Sequence, residues 1–356
     1  MTLSSYSLFL SRALLLSLLL LGLSSCLDSS QENASPAQDV YDPEPLTKFP
    51  GYNINWTETT RSPVALYESG GLAAGGKLYV FGGYYNTAIQ ATTESYAFDP
   101  ATEMWENLAP MPEAVTHAGQ TLYEGKVYFA GGFLGNHPGP PTDHVWIYDI
   151  ARKSWSAGPS LPEALGGGAL VELAGQLHFF GGTFREGEDY LTDSLHHWVL
   201  DISGSASSWT RAAPLPTPRN HIAGATVGGK IYAIGGQYLG DEDNGNTQVV
   251  EAYDPETDSW QKVASLPKPL GHISAATFVY AEHIFVVMGV TQGRDKITDI
   301  IAYDPETNTW GKVRSMLGGR SATVAGVIEG QIVLATGNVA GGPLDTTWMG
   351  RWDGEE

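Results

Sequence analysis

The sequence predicts an all-β chain whose body repeats one four-stranded unit six times. Three observations carry this. The 356 residues include 43 glycines and 21 prolines, yet 11% are aromatic. Disordered chains lack aromatics, so this glycine belongs to tight turns between short strands. Tryptophan recurs as Trp56, Trp105, Trp155, Trp209, Trp260 and Trp310, at spacings of 49, 50, 54, 51 and 50 residues. Glycine recurs in step as Gly83, Gly132, Gly182, Gly236, Gly289 and Gly337. Two independent markers sharing one period identify a repeat.

Each unit reads alike. A Gly turn leads into an apolar run, as in Gly229-Lys230-Ile231-Tyr232-Ala233-Ile234, which ends on the pair Gly235-Gly236. The pair is also present as Gly82-Gly83, Gly131-Gly132 and Gly181-Gly182, while Met288 and Thr336 replace its first member in the last two units. A variable loop follows, then a strand ending in an aromatic-Asp-Pro turn such as Tyr253-Asp254-Pro255. Pro presets the second position of a type I turn and Asp caps the first. The last strand starts near the Trp and ends in Leu-Pro, as at Leu266-Pro267. Four short strands per unit make a propeller blade. The paired glycines, the Tyr 15–18 residues on and the Trp six or seven later resemble the kelch repeat, over residues 52–353. That resemblance implies a six-bladed kelch β-propeller. The last unit stops just after Trp352-Asp353, before an outer strand. A strand near Asn53–Glu58 is therefore expected to complete the last blade, and closing the ring removes an aggregation-prone edge.

The N-terminus reads as an address. Residues 13–21 are Ala-Leu-Leu-Leu-Ser-Leu-Leu-Leu-Leu, preceded by Arg12, which is too short to span a bilayer but suits a secretory leader. Leu23-Ser24-Ser25-Cys26 resembles the bacterial lipobox. The division expected is a lipoprotein signal peptide over 1–25, a tether over 26–49 after lipidated Cys26, and the propeller over 50–356. Leu27 after the cysteine implies outer-membrane sorting in a Gram-negative envelope, with the membrane touched only through the lipid. Residues 27–49 are polar, Pro-containing and without apolar periodicity, as a flexible tether would be.

Nineteen Lys and Arg against 39 Asp and Glu give a net charge of −20. Nucleic-acid affinity rests largely on Lys and Arg, so that class of partner is excluded. Cys26 is the only cysteine, which rules out intramolecular disulfides, multi-Cys zinc sites and the Tyr–Cys radical cofactor of galactose oxidase, another kelch protein.

Alignment of the units places His117, His221 and His272 at the start of the innermost strands of blades two, four and five. Glu68 falls there in blade one and Gly167 in blade three. Arg219 and Asn220 stand beside His221, and Arg320 opens the innermost strand of blade six. One reading makes these a channel-mouth pocket in which the arginines grip a carboxylate and a His or Glu moves a proton. The other makes them polar residues bonding the neighbouring backbone. A three-His metal site is a lesser possibility, because those blades are not all neighbours, and no metal or cofactor is assigned. Tyr84, Tyr85, Phe133, Phe184 and Tyr238 follow the Gly pairs, with Asn86, Asn136, His137, Arg185 and Gln237 nearby. These either face a sugar or protein ligand or pack between blades.

Asp189, Asp193 and His197 share the i, i+4, i+8 spacing of the iron ligands in nitrile-specifier kelch proteins, but a strand would hold them far apart, so the match is read as chance. The stretch Asp241–Asn246 departs from calcium-loop register and reads as a solvated loop. The expected function is a lipid-anchored binding module for a glycan or a protein. The alternative is a mutarotase for an acidic sugar, implied by resemblance to six-bladed N-acetylneuraminate epimerases. That resemblance carries no matched active-site motif.

Overall fold

The computed structural model describes residues 53–186, 190–204, 208–238, 244–313 and 317–352. The leader, Cys26 and the tether lie outside the described residues, as do Asp189 and Asp241–Asp243. The fold is an all-β propeller of six blades. Blade one is Gly70–Ala74, Lys77–Phe81, Ser95–Asp99 and Met104–Asn107, hydrogen-bonded in that order. Blade two is Gly119–Tyr123, Lys126–Ala130, Val145–Asp149 and Ser154–Ala157. Blade three is Gly166–Leu173, Gln176–Glu186, His197–Asp201 and Thr210–Arg211, with Tyr190–Asp193 added against its long second strand. Blade four is Ala223–Val227, Lys230–Ile234, Val250–Asp254 and Ser259–Lys262. Blade five is Thr277–Tyr280, His283–Val290, Lys296–Asp304 and Thr309–Val313.

Blade six takes Val324–Ile328, Gln331–Ala335 and Thr347–Trp352 from the C-terminal end, and its outer strand is Ile54–Glu58. The register runs from Ile54 opposite Trp352 to Glu58 opposite Trp348. The N-terminal strand thus closes the ring, as the missing outer strand of the last repeat required.

The second strands are buried on both faces, because a blade lies on either side. Lys230–Ile234 is half-buried only at Lys230, and the other four residues are inaccessible. This explains a continuous apolar run where a one-sided sheet would alternate. The outer strands are mostly exposed, and in Ser259–Lys262 only Trp260 is half-buried. The Asp turns form as expected: Asp99, Asp254 and Asp304 each accept the backbone N–H two residues on, at 2.9–3.0 Å.

Two sets of hydrogen bonds join neighbouring blades. At the rim, five of the six marker indoles reach back toward the blade before them. Trp155 Nε1 donates to Ala109 O at 3.0 Å, Trp209 to Pro159 O at 2.9 Å, Trp260 to Ala213 O at 3.0 Å and Trp310 to Ala264 O at 2.9 Å. Trp105 donates to Thr60 O at 3.0 Å, just past the closing strand. Near the axis, the glycine at the second position of the pair reaches forward in five of the six units. The amides of Gly132, Gly182, Gly236, Gly289 and Gly337 donate to the carbonyls of Leu165, Arg219, Leu270, Arg320 and Leu66 at 2.8–3.0 Å. The last of these joins blade six to blade one. Gly235 and Gly236 both have positive φ, and a Cβ on either would lie 2.5 Å from a carbonyl oxygen of the leading segment it packs against. The pair is therefore required twice, by its turn and by close approach.

Arg219 and Arg320 are structural struts, not pocket ligands. Leu66, Val115, Leu165 and Leu270 occupy the same place in the other blades and are buried. Arg219 is 0% exposed and pairs with the equally buried Glu251 at 2.7 Å. It also donates to the carbonyls of Gly235, Thr217 and Ala233 at 2.7–3.0 Å. Arg320 donates to Thr336 O at 3.2 Å and Thr346 Oγ1 at 3.0 Å, and burial pulls its guanidinium down to about 10. Neither guanidinium reaches the axis, because each points back into its own blade.

A second buried polar pair lies in blade three. His178 Nδ1 meets His197 Nε2 at 2.9 Å, and His197 Nδ1 donates to Ala213 O at 3.2 Å. This holds His197 inside the strand, with no shared site among Asp193 and His197. Burial holds His178 at about 3, helped by its neighbour, and His197 at about 4.

Two outcomes follow from these pairs. Arg219→Met leaves Glu251 buried without its cation and should cost about 3–5 kcal/mol in urea unfolding, whereas Arg219→Met with Glu251→Leu should recover most of that loss. The two imidazoles are neutral when folded and protonate near pH 6.5 when unfolded. Stability is therefore complete above pH 6.5 and falls as pH drops toward 4, by up to about 1.4 kcal/mol per pH unit for each ring. Thermal unfolding across that window should show a shallower decline for His178→Leu than for the parent.

Candidate functional site

The site is built by one backbone feature repeated around the axis. Two residues after each inter-blade carbonyl, the chain turns through a left-handed residue. These are Glu68 (φ 51), His117 (φ 55), Gly167 (φ 70), His221 (φ 48), His272 (φ 54) and Ala322 (φ 52). Positive φ is uncommon outside glycine, and five of these six residues carry a side chain. The sixth-blade member is Ala322, so Arg320, two residues earlier, does not open that strand toward the channel.

The small members decide who meets whom. Gly167 has no side chain, and a Cβ there would lie 3.0 Å from the His221 backbone nitrogen. His117 and His221 close over it, with ring centroids 4.6 Å apart. Three blades round, Glu68 and His272 close over Ala322, with Oε1 to Nδ1 at 2.5 Å. The two halves touch: His221 and His272 rings are 4.7 Å apart, and Glu68 Oε2 is 3.4 Å from His117 Nε2. Blades two and four thus meet although they are not neighbours.

Each imidazole is held from behind. Thr116 Oγ1 lies 3.0 Å from His117 Nδ1 and donates to Tyr84 Oη at 3.2 Å. Asn220 Oδ1 bonds His221 Nδ1, while its Nδ2 donates to Asp193 Oδ1 at 2.5 Å. Gln237 Nε2 lies 3.2 Å from His272 Nε2. Burial alone would push the Glu68 carboxyl up, but the imidazoles, His272 and His117 foremost, outweigh it and hold it at about 2. Burial and the Glu68 carboxylate push the Tyr67 phenol up to about 12, so it stays protonated.

Above the quartet, a cavity of about 330 Å³ opens among blades one, two, five and six. Tyr67, Tyr84 and His137 form one wall, Arg294 and Lys296 another, with Asn338 between and Glu68, His117 and His272 on the floor. Burial, with Arg294 nearby, pushes the Lys296 ammonium down from its usual range. A smaller cavity of about 70 Å³ runs from His117 and His221 past Phe133 to Arg185. The far end of the channel holds about 370 Å³ lined by Leu72, Leu122, Val171 and Phe278.

Of the predicted site residues, Glu68, His117, His221 and His272 come together, and Asn220 positions His221. Tyr84 and Phe133 line the mouth, each with its ring against His117 at 6.0 and 5.7 Å. Tyr85 is 40% exposed, Phe184 packs into the core around blades two and three, and Tyr238 bonds Thr247 within its own blade. Asn86 caps its own loop, and Asn136 accepts Ala91 N from blade one. Sequence reasoning missed Tyr67, Thr116, Arg294, Lys296 and Asn338. Tyr67, Thr116 and Asn338 sit at the repeat positions beside the axial residue or after the Gly pair, so the period could have found them. Arg294 and Lys296 sit in a loop and early strand of blade five, outside the repeat pattern.

Comparison with known proteins agrees with the architecture. The family described as the KLHDC2/KLHL20/DRC7 Kelch-repeats domain matches residues 117–337, and the Kelch motif matches residues 65–112. Kelch-like protein terF of Aspergillus terreus is 26% identical over 255 residues, covering 68% of this chain and 54% of that protein. Beta-scruin of Limulus polyphemus is 27% identical over 222 residues, 61% of this chain and 24% of that protein. Kelch-like protein 35 of Mus musculus is 27% identical over 240 residues, 66% of this chain and 36% of that protein. The chain thus spans between a quarter and about half the length of these relatives. Repeat period, closed six-bladed ring and family match lead to one conclusion: the chain belongs to the kelch-repeat β-propeller family.

Proposed function

We propose that the protein is a binding module whose channel mouth takes a small acidic sugar or a glycan ending in one. The observation that carries this reading is the composition of the mouth cavity. Its volume of about 330 Å³ suits a small ligand. Tyr67 and Tyr84 offer faces for a sugar ring, and Asn338 and the imidazoles offer hydrogen bonds to hydroxyls. Arg294 and Lys296 stand together there in a chain whose net charge is −20, which favours a carboxylate at that wall. A flat protein-binding face would not need such a concavity.

The alternative of a mutarotase for an acidic sugar draws on a different observation. Glu68 and His272 form a hydrogen-bonded carboxylate–imidazole pair on the cavity floor, the type of arrangement that moves protons in ring opening. The lipobox-like Leu23–Cys26 sequence supports display of the module on a bacterial envelope through a lipid at Cys26, with the outer membrane favoured by Leu27.

Calorimetric titration of uronic and sialic acids should show binding, with neutral hexoses much weaker. Arg294→Ala and Lys296→Ala should each weaken the acid about tenfold or more, since a charge-assisted hydrogen bond contributes about 1.5–3 kcal/mol. Equal affinity for neutral and acidic sugars would remove the carboxylate reading, and accelerated anomer exchange of a bound acid, lost in Glu68→Gln, would favour the enzyme. Labelled palmitate fed to expressing bacteria should enter the full chain and be absent from Cys26→Ala.

A further inference from the structure

Arg219 and Arg320 stand at one repeat position, two residues before the left-handed residues His221 and Ala322, yet they are satisfied unequally. Arg219 places one N–H from Nε, two from Nη1 and one from Nη2, and one of the four meets the buried carboxylate of Glu251. Arg320 is 6% exposed and donates from Nη1 alone, to Thr336 O at 3.2 Å and Thr346 Oγ1 at 3.0 Å. Both acceptors are neutral. Its Nε–H is buried without a partner, and no described residue accepts from Nη2.

The register shows why the counter-charge is lost. Glu251 lies opposite Ala233, two residues before the first glycine of its pair. The residue opposite Leu334, at the equivalent place in blade six, is Trp348. An indole thus stands where blade four has its carboxylate. Thr217, whose hydroxyl donates to Glu251, is matched by Gly318. Glu58, the carboxylate that acts on Arg320 through space, is exposed and bonds Arg61 at 2.9 Å.

Two more donors in this corner of blade six are buried without partners. One is Trp348 Nε1, at the place from which Glu251 reaches Arg219. The other is the hydroxyl of Thr336, whose carbonyl Arg320 already bonds. Buried donors are almost always paired, and a buried charge without a counter-charge is costly. What these groups call for is an acceptor, and the guanidinium calls for negative charge. A water molecule supplies the first but not the second. The Nε–Nη2 edge is a fork that holds an anion through two parallel N–H bonds.

We propose that Arg320 binds one small monovalent anion through its Nε–Nη2 edge, with Trp348 Nε1 and Thr336 Oγ1 as further donors. The site lies between blades five and six, where Trp348 packs with Phe285, Val287 and Leu334 and Gly289 donates to Arg320 O. The anion does for Arg320 what Glu251 does for Arg219. A halide or a formate-sized carboxylate has this chemistry. The site is separate from the mouth cavity and does not rest on sugar binding.

The test melts the detergent-solubilised full chain in sodium chloride, sodium formate and sodium gluconate at equal ionic strength. An anion at about ten times its dissociation constant should raise the melting temperature by about 3–6 °C over gluconate, and the rise should saturate. A rise with formate alone supports the site and assigns it to a carboxylate, and a rise with chloride alone assigns it to a halide. Arg320→Met should lose the rise. Trp348→Glu, which recreates the blade-four pairing, should lose it while keeping the cation. Arg219→Met with Glu251→Leu, which removes the closed pair, should keep it. No rise with either anion, or an equal rise in Arg320→Met, overturns the proposal. Crystals of the parent protein grown in bromide and in formate keep the test open if neither blade-six variant folds. An anomalous bromide peak or a planar formate at Arg320 Nε supports the site, and finding neither overturns it.

Discussion

The hydrogen bond from the second glycine of one blade to a carbonyl of the next sets the geometry of everything near the axis. It recurs at 2.8–3.0 Å from Gly132, Gly182, Gly236, Gly289 and Gly337. A Cβ on the glycine just before it would meet the same carbonyl, at 2.3 Å from Leu165 O for Gly131 and 2.5 Å from Leu270 O for Gly235, so the contact explains the first glycine of the pair more directly than turn preference does. Two residues beyond the accepting carbonyl stands the left-handed residue that faces the channel. The same bond that joins two blades therefore aims one side chain per blade at a common point. The indole bonds at the rim do the complementary work, reaching backward where the glycine reaches forward. A ring held at both radii has little freedom in blade angle, and the last pair of bonds, Gly337 to Leu66 and Trp105 to Thr60, closes it.

The left-handed turn carries a cost of about 1 kcal/mol or more at each residue with a Cβ. Five axial residues bear it, which the surrounding blades must over-determine. What the turn provides is convergence. With Gly167 and Ala322 on opposite sides, the remaining four side chains have room to meet in two pairs. Six large residues would crowd the axis, and six small ones would leave an open bore. The alternation instead produces a plug of titratable groups between the two ends of the channel.

Electrostatics separates the two kinds of charge in the chain. Among the described residues, most Asp and Glu side chains are exposed or half-buried. Glu251 is buried against Arg219, and Glu68 is held ionised at the axis by the imidazoles around it. Arg219 and Arg320 are buried cations turned to internal partners, and their burial makes them part of the scaffold. Arg294 and Lys296 are the basic groups that line the mouth cavity above the quartet. Ligand chemistry at that mouth is thus set by two basic groups and four coupled ones, not by the charge of the whole molecule.

The period was legible because tryptophan and glycine each answer to one recurring contact. From it followed the four-stranded unit, the six blades, the closing strand and the axial position of Glu68, His117, His221 and His272. The arginines were harder to place. A charge two residues from an axial histidine resembles a ligand, although Leu66, Val115, Leu165 and Leu270 at the same repeat position mark it as core. Its carboxylate partner, Glu251, lies 32 residues away on the third strand of the blade and has no signature of its own. The lining of the mouth was illegible for a similar reason, since Arg294 lies in a loop, and Lys296 at the strand start just after it, where no repeat dictates the path. The sequence by itself determined the architecture, because strand period, turn chemistry and glycine approach act locally and repeat. Only the tertiary structure decided which axial side chains touch, because that depends on two small residues three blades apart and on a ring narrow enough for blades two and four to meet.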